Sequence, residues 1–203
     1  MNISKAKFLV SSAKVAQCPD SKQPEFAFIG RSNVGKSSLI NMLCNQKGLA
    51  KVSATPGKTQ LINHFDINNG EWYLVDLPGY GYAKVPLGEK AKFQSIITDY
   101  ALKREQLTSF FVLVDVRHPI QTIDRNFMEF LGLHGVPFAI IFTKADKLSE
   151  SQVQRSVEAY KQEMLKTWQS LPPMFVTSSA KHKGRDLVLG YIGSVINNLG
   201  QNR

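Results

Sequence analysis

The residues Gly30-Arg31-Ser32-Asn33-Val34-Gly35-Lys36-Ser37 fit the pattern GxxxxGK[ST], between an apolar run and a helical one that carries Leu39, Ile40 and Leu43. In that setting the glycines let the backbone curl so that successive N–H groups point inward. The N-terminus of the following helix adds positive potential, and together they cradle a phosphate chain. Lys36 is expected to neutralise the β and γ phosphates and Ser37 to offer its hydroxyl to Mg²⁺, with Ser38 beside them in the nucleotide-binding set. By residue frequency alone the pattern arises in roughly one 200-residue chain in 150, and the strand-loop-helix context makes chance rarer still. Asp76-Leu77-Pro78-Gly79 follows the run 72–75, which places a carboxylate near the metal, acting through water, and a glycine N–H near the γ-phosphate. Alone, DxxG is more often a plain turn. Its order behind a phosphate loop reverses those odds.

Thr143-Lys144-Ala145-Asp146 ends another apolar run. An Asp carboxylate there can accept from N1–H and the 2-amino group of guanine, whereas adenine offers neither, and a wrong base would leave a buried carboxylate unpaired. The stem of Lys144 should lie along the base. Ser178-Ser179-Ala180-Lys181 follows a later apolar run, where the Ala180 N–H can donate to guanine O6; in isolation this is a weak pattern. The chemistry so read is GTP binding and hydrolysis with Mg²⁺. Lys36 and Gly79 are candidate catalytic groups.

These motifs need an alternating strand and helix frame to hold them. Candidate strands cover 26–29, 61–67, 72–76, 110–115, 138–143 and 174–177, several apolar throughout, as a sheet covered on both faces requires. The Asn68-Asn69-Gly70 turn joins two runs too closely for a crossover helix and predicts an antiparallel hairpin. Helical stripes run through Phe93, Ile96, Ile97 and Tyr100, and through Val153, Val157, Tyr160, Met164 and Trp168 behind a capping box at Ser149 and Gln152. A last helix carries Leu187, Val188, Tyr191, Ile192, Val195, Ile196 and Leu199 toward the core. The fold class is α/β, a Ras-like six-stranded, mainly parallel sheet with one antiparallel edge hairpin strand and helices on both faces. Residues 1–24 read as an N-terminal extension packing on a domain of 25–200, able to add an edge segment, with 201–203 a tail.

The chain has 203 residues, 43% of them hydrophobic, which favours one domain with one substantial core. No apolar stretch approaches the roughly 18 to 20 residues of a membrane span, and no secretory signal pattern opens the chain, so a cytoplasmic protein is expected. Cys18 and Cys44 form no metal pattern and read as reduced packing thiols. Lysine and arginine exceed aspartate and glutamate by 25 to 16, for a formal net charge of +9, so RNA is the first candidate partner, with solubility as the bland alternative. His64 and His118 are read as structural or solvent-facing.

With these elements in order, the chain resembles the translation-factor-related GTPases. More closely it resembles the EngB (YihA/YsxC) type of ribosome-biogenesis GTPase, in the TrmE-Era-EngA-EngB-septin-like class. The likeness covers nearly the whole chain. It rests on GRSNVGKSSLIN from Gly30, TPGKTQLINHF from Thr55, DLPGYGYAKV from Asp76 and DVRHPIQTID from Asp115. The resemblance implies Mg²⁺-dependent GTP hydrolysis, a switch role in assembly of the large ribosomal subunit, and a need for the protein in cell division and septation. It points to Thr59 as the mobile-loop hydroxyl completing the Mg²⁺ shell and as a catalytic group, with Thr55 its competitor. Gly57, Lys58, Gln60 and Leu61 join the nucleotide-binding set.

In the familiar template a glutamine directly after DxxG orients the attacking water; here Tyr80 stands there, so slow intrinsic hydrolysis is expected, raised by the ribosomal partner, a monovalent cation, or both. Related GTPases with an asparagine matching Asn33 use it to bind K⁺, and a purely loop-shaping role is the alternative. Lys51, Lys58, Lys84, Lys90 and Lys92, and the run Lys181, His182, Lys183 and Arg185, are candidate rRNA contacts. A monomer is assumed. Competing functions are a metabolic kinase, which Thr143 to Asp146 argues against, and a signalling GTPase acting through a division or membrane protein.

Overall fold

The computed structural model describes residues 1–51, 61–80 and 87–201, with the backbone alone at 87, 89, 90, 92 and 93. Strands are β1 (Ala6–Ser12), β2 (Glu25–Gly30), β3 (Ile62–Ile67), β4 (Trp72–Asp76), β5 (Leu107–Asp115), β6 (Phe138–Thr143) and β7 (Met174–Val176). Helices are α1 (Lys36–Leu43), α2 (Leu87–Lys103), α3 (Thr122–Leu133), α4 (Glu150–Leu165) and α5 (Arg185–Gln201). The strands form one seven-stranded sheet in the order β1-β3-β4-β2-β5-β6-β7.

All six expected strands are present, and the segment before residue 25 adds the seventh. β3 is antiparallel to both β1 and β4, and every other pair is parallel, so β3 alone runs against the rest. The antiparallel hairpin strand therefore lies one place in from the edge expected for it. β1 covers the row of backbone donors and acceptors that β3 would otherwise expose. Asn68 fastens that cover: in the left-handed turn (φ 53°, with Asn69 at 60° and Gly70 at 88°) its Oδ1 accepts from the Ser4 N–H at 2.9 Å.

Alternation along the strands feeds two cores. Ala27 and Ile29 of β2 face Ile97, Tyr100, Phe127, Leu131 and Tyr160, on the side of α2, α3 and α4. Phe26 and Phe28 face Leu39, Ile40, Val188 and Ile192, on the side of α1 and α5. The capping box forms as read, the Ser149 side chain accepting from the Gln152 N–H and the Gln152 side chain from the Ser149 N–H. The stripe of α5 is narrower than read: Val188 and Ile192 are fully buried, whereas Leu187 is 65% and Leu199 40% exposed. Val188, directly after Leu187, is buried, so Leu187 sits on the solvent face of its turn, and Leu199 lies in the last turn of the helix. Cys18 and Cys44 are buried free thiols, and burial pushes Cys44 up to about 12, as suits packing rather than reactivity. Among the described residues no helix is long and apolar enough to cross a membrane.

The end of the sheet away from the phosphate loop is pinned by a buried ionic cluster. Glu25 opens β2 fully buried, taking Arg104 Nη2 at 2.5 Å and Arg104 Nε at 3.0 Å, with His64 Nε2 at 3.2 Å and the Tyr100 hydroxyl as further partners. Burial alone would raise its carboxyl; the bonds from His64 and Arg104 outweigh it and hold the group at about 2. His64 is structural, and His118 is exposed.

Candidate functional site

β2 sits where the connections diverge: the chain leaves it for β3 and β4 on one side, while β5 lies on the other. A crevice opens at the carboxyl end of such a strand. The loop Gly30 to Gly35 fills it. A Cβ on Gly30 would stand 2.7 Å from the Leu113 carbonyl oxygen, so only glycine lets the loop leave the sheet this closely against β5. Asn33 (φ 61°) and Gly35 (φ 103°) take left-handed backbones that turn the chain into α1, whose first residue is Lys36. Arg31, Ser32, Ser37 and Ser38 lie partly or fully exposed along the loop and first turn, and Val34 is buried beneath it.

The parallel register carries the chain after β4 alongside this loop. The Leu77 N–H donates to the Phe28 carbonyl at 3.1 Å and the Tyr80 N–H to the Gly30 carbonyl at 3.2 Å. Asp76 is thereby set opposite Lys36, and the two side chains are in direct ionic contact. The Leu77 side chain is fully buried in the core, leaving only its backbone for a ligand, while Pro78 and Gly79 span the turn between them and Tyr80.

The third loop braces the first. Thr143 Oγ1 lies 2.7 Å from the Val34 carbonyl and 3.1 Å from that of Val114, its one proton serving one of them. Lys144, itself left-handed at φ 61°, reaches back with Nζ to the Asn33 carbonyl at 2.7 Å and to Asp115 Oδ2 at 3.0 Å. Burial would raise Asp115; the bonds from Arg117 and Lys144 overcome it and hold the carboxyl well below the usual range. Ala145 donates its N–H to the Thr177 carbonyl at 3.1 Å, and Asp146 Oδ1 accepts from Ser178 Oγ at 2.7 Å. That bond, first among its causes, lowers the Asp146 carboxyl, so it faces a ligand ionised. The loop from Ser178 closes on itself, Ser178 and Lys183 exchanging N–H to carbonyl bonds at 3.1 and 3.0 Å, with Ser179 half-buried and Ala180 exposed at its crest.

Between the phosphate loop and these two loops lies a cleft of about 580 Å³, lined among others by Gly35, Ser38, Lys144, Asp146, Ser179 and Ala180. That volume suits a ligand of nucleotide size. Its other wall was not foreseen: Asn41, Asn45 and Lys47 from the end of α1 and the turn behind it. Asn41 closes that turn, its side chain exchanging two bonds with the Ala50 backbone at 2.8 and 3.0 Å. Asp115 and Gly184 were missed as well. A Cβ on Gly184 (φ 83°) would stand 2.2 Å from the Val176 carbonyl, so the loop behind β7 closes only over glycine. The sign available in the sequence was the glycine directly before a helix.

Thr55, Gly57, Lys58, Thr59, Gln60 and Lys84 lie outside the described residues, as do the side chains of Lys90 and Lys92; Leu61 is exposed at the edge of β3. Arg185 leaves the basic run read around Lys181, since its Nε is spent on the Met42 and Leu43 carbonyls at the end of α1, at 3.2 and 3.0 Å. Lys51, Lys181, His182 and Lys183 are exposed.

Fold and site together define a P-loop GTPase of Ras-like architecture. The profile of the family described as 50S ribosome-binding GTPase matches residues 25–144. A probable GTP-binding protein EngB of Porphyromonas gingivalis is 58% identical over 195 residues, covering 96% of each chain. Its counterpart in Christiangramia forsetii is 56% identical over 199 residues, covering 98% of this chain and 100% of that one. The chain belongs to the EngB family of GTP-binding proteins, P-loop enzymes that hydrolyse GTP. Among solved structures, a probable GTP-binding protein engB superposes with a TM-score of 0.65 at 24% identity, covering 86% of this chain and 99% of that one. Elongation factor SelB of Methanococcus maripaludis with the GTP analogue GppNHp gives 0.63 at 17%, covering 89% of this chain and 35% of that one. At these identities the likeness shows the fold.

Proposed function

We propose that the protein is a Mg²⁺-dependent guanine-nucleotide switch that docks on a precursor of the large ribosomal subunit in its GTP form and leaves after hydrolysis, and that normal division and septation depend on that step. The observation that carries the nucleotide reading is the pairing of Lys36 with Asp76 at one end of the site and of Asp146 with Ser178 at the other. Backbone N–H groups of Gly30 to Ser38, with Lys36, receive the phosphates; Asp146 and the Ala180 N–H select guanine, and Lys144 covers the base. Gly79 meets the γ-phosphate.

The donor set suits magnesium. Ser37 offers a hydroxyl, and the buried Asp76 a carboxylate one shell further out. Among the described residues no group of three or more His, Cys, Asp or Glu is placed to hold a metal. That fits an ion carried mainly by phosphate oxygens and water, with Thr59 as the further ligand. Such an ion supplies charge neutralisation between the β and γ phosphates. The left-handed backbone of Asn33 favours its loop-shaping role, and equal GTPase rates in KCl and NaCl at saturating GTP would remove the potassium alternative.

The family description, 50S ribosome-binding GTPase, and the net charge of +9 support a ribosomal partner in the cytoplasm. The deciding experiment is cosedimentation with 50S particles under GppNHp and under GDP. Binding should favour GppNHp and fall steeply with added salt. Equal binding in both states, or none, sinks the switch reading and favours a division-protein partner.

A further inference from the structure

Tyr80 occupies the position after DxxG, yet its side chain is buried against α3, 5.2 Å from Phe127 between ring centroids and 7% exposed. Beneath it lies Asp124, the last residue of the DVRHPIQTID stretch and one to which the nucleotide reading gives no role. Asp124 is 1% exposed, and Arg31 of the phosphate loop donates Nε to its Oδ2 at 3.1 Å. Its Oδ1 has no hydrogen-bond partner, nor have the buried hydroxyls of Tyr80 and Tyr160. Burial, then the charge of Asp124, pushes the Tyr80 phenol far up; burial raises Asp124 too, against the pull of Arg31. These groups therefore feel one another in a buried pocket. A hydrogen bond from the phenol to Oδ1 would satisfy both groups at once.

We propose that Tyr80, Asp124 and Arg31 form a latch that holds Gly79 beside the phosphate loop, making Asp124 and Tyr80 positioning residues for hydrolysis. The backbone already runs this way: Arg31 and Tyr80 form an isolated parallel bridge, and Tyr80 donates to the Gly30 carbonyl. Gly79 is therefore held from one side by main chain and, through its neighbour, from below by a carboxylate that Arg31 ties to the same loop. A buried carboxylate with one oxygen unpaired is costly to keep. Here it stands where the phosphate loop and the segment after β4 share one anchor. The latch also explains the tyrosine: position 80 is committed inward, so the attacking water has to be oriented from elsewhere.

The inference rests on the reading that the γ-phosphate meets Gly79, and the experiment separates the two. GTP hydrolysis at saturating substrate, GDP affinity and thermal unfolding are measured for the parent, Tyr80→Phe, Asp124→Asn, their double variant and Gly79→Ala. The latch predicts about a tenfold lower kcat in each single variant, unchanged GDP affinity, and a double variant no slower than the slower single. Parent rates in both single variants overturn it. So do losses that multiply in the double variant, or a fall in GDP affinity that tracks a lower melting temperature. If Gly79→Ala is slow while the latch variants match the parent, the phosphate reading stands and only the latch falls. A Gly79→Ala variant at the parent rate overturns both.

Discussion

Exchanging Asp146 for asparagine tests base selection at a single atom. In the native protein Oδ1 is occupied by the Ser178 hydroxyl at 2.7 Å and Oδ2 lies 3.4 Å from Lys147 Nζ, so the carboxylate is fixed in direction. Guanine would present two N–H donors to it, and a charge-assisted bond of this kind contributes about 1.5–3 kcal/mol. Asparagine keeps one acceptor for Ser178 or for the base, and turns an amide donor toward a guanine donor. The expected loss is about 3–4 kcal/mol, or roughly 10²–10³-fold in GTP and GDP affinity. Xanthine carries a carbonyl where guanine has its 2-amino group, so the same variant should gain affinity for XDP while ATP stays weak. Titration with fluorescent GDP, XDP and ADP in magnesium buffer, beside a thermal melt, reads all of this. Parent GDP affinity, or equal loss of GDP and XDP with an unchanged melt, would refute the placement of guanine on this carboxylate.

Gly184→Ala puts a methyl group 2.2 Å from the Val176 carbonyl at a left-handed backbone, so the loop carrying Ser178 to Lys183 must shift. A lower melting temperature, by at least the roughly 1–2 kcal/mol of the backbone term, and weaker GDP binding are expected; an unchanged melt refutes the close approach. Glu25 is held at about 2 in the folded chain against an ordinary 4.5. Because that value is depressed, its contribution of about 3 kcal/mol is present above pH 4.5 and drains away as pH falls toward 2. Urea melts across that window should show the slope, and Glu25→Gln should remove it. Thr143→Val deletes the hydroxyl that can donate to the Val34 or the Val114 carbonyl, and GTP and GDP affinity should fall together by roughly five- to tenfold in a nucleotide titration. A change confined to one nucleotide would contradict the bracing role.

The candidate chemistry-bearing groups were legible because each motif is contiguous. Gly30 to Ser37, Asp76 to Gly79, Thr143 to Asp146 and Ser178 to Ala180 announce themselves by local spacing, and apolar runs located the strands that present them. What stayed hidden is held together across the chain. Arg31 and Asp124 are 93 residues apart, Glu25 and Arg104 79 apart, and Arg185 meets the end of α1 at a separation of 142 to 143. No periodicity encodes such pairs. β1 was expected only as a packing extension able to add an edge segment, because Phe8 and Leu9 are both exposed and a bulge between Phe8 and Val10 breaks the alternation that would mark a strand.

These distant pairs bear on affinity as much as on stability. Asn33 holds a left-handed backbone, which carries a conformational cost outside glycine unless the surroundings enforce it. The enforcement comes from groups outside the loop: Thr143 on the Val34 carbonyl, Lys144 on the Asn33 carbonyl, and Arg185 fastening the far end of α1. Asp115 holds Lys144 in turn. A phosphate chain entering this loop has little ordering left to impose, so more of its interaction energy appears as affinity. The braces on Asn33 and Val34 come from the loop that carries Asp146, so the proposed base site and phosphate site are tied directly to each other. Gly79 and Tyr80 are tied to the phosphate loop by the bond from the Tyr80 N–H to the Gly30 carbonyl and by the Asp124 pocket, so a γ-phosphate meeting Gly79 as proposed would act through those two ties.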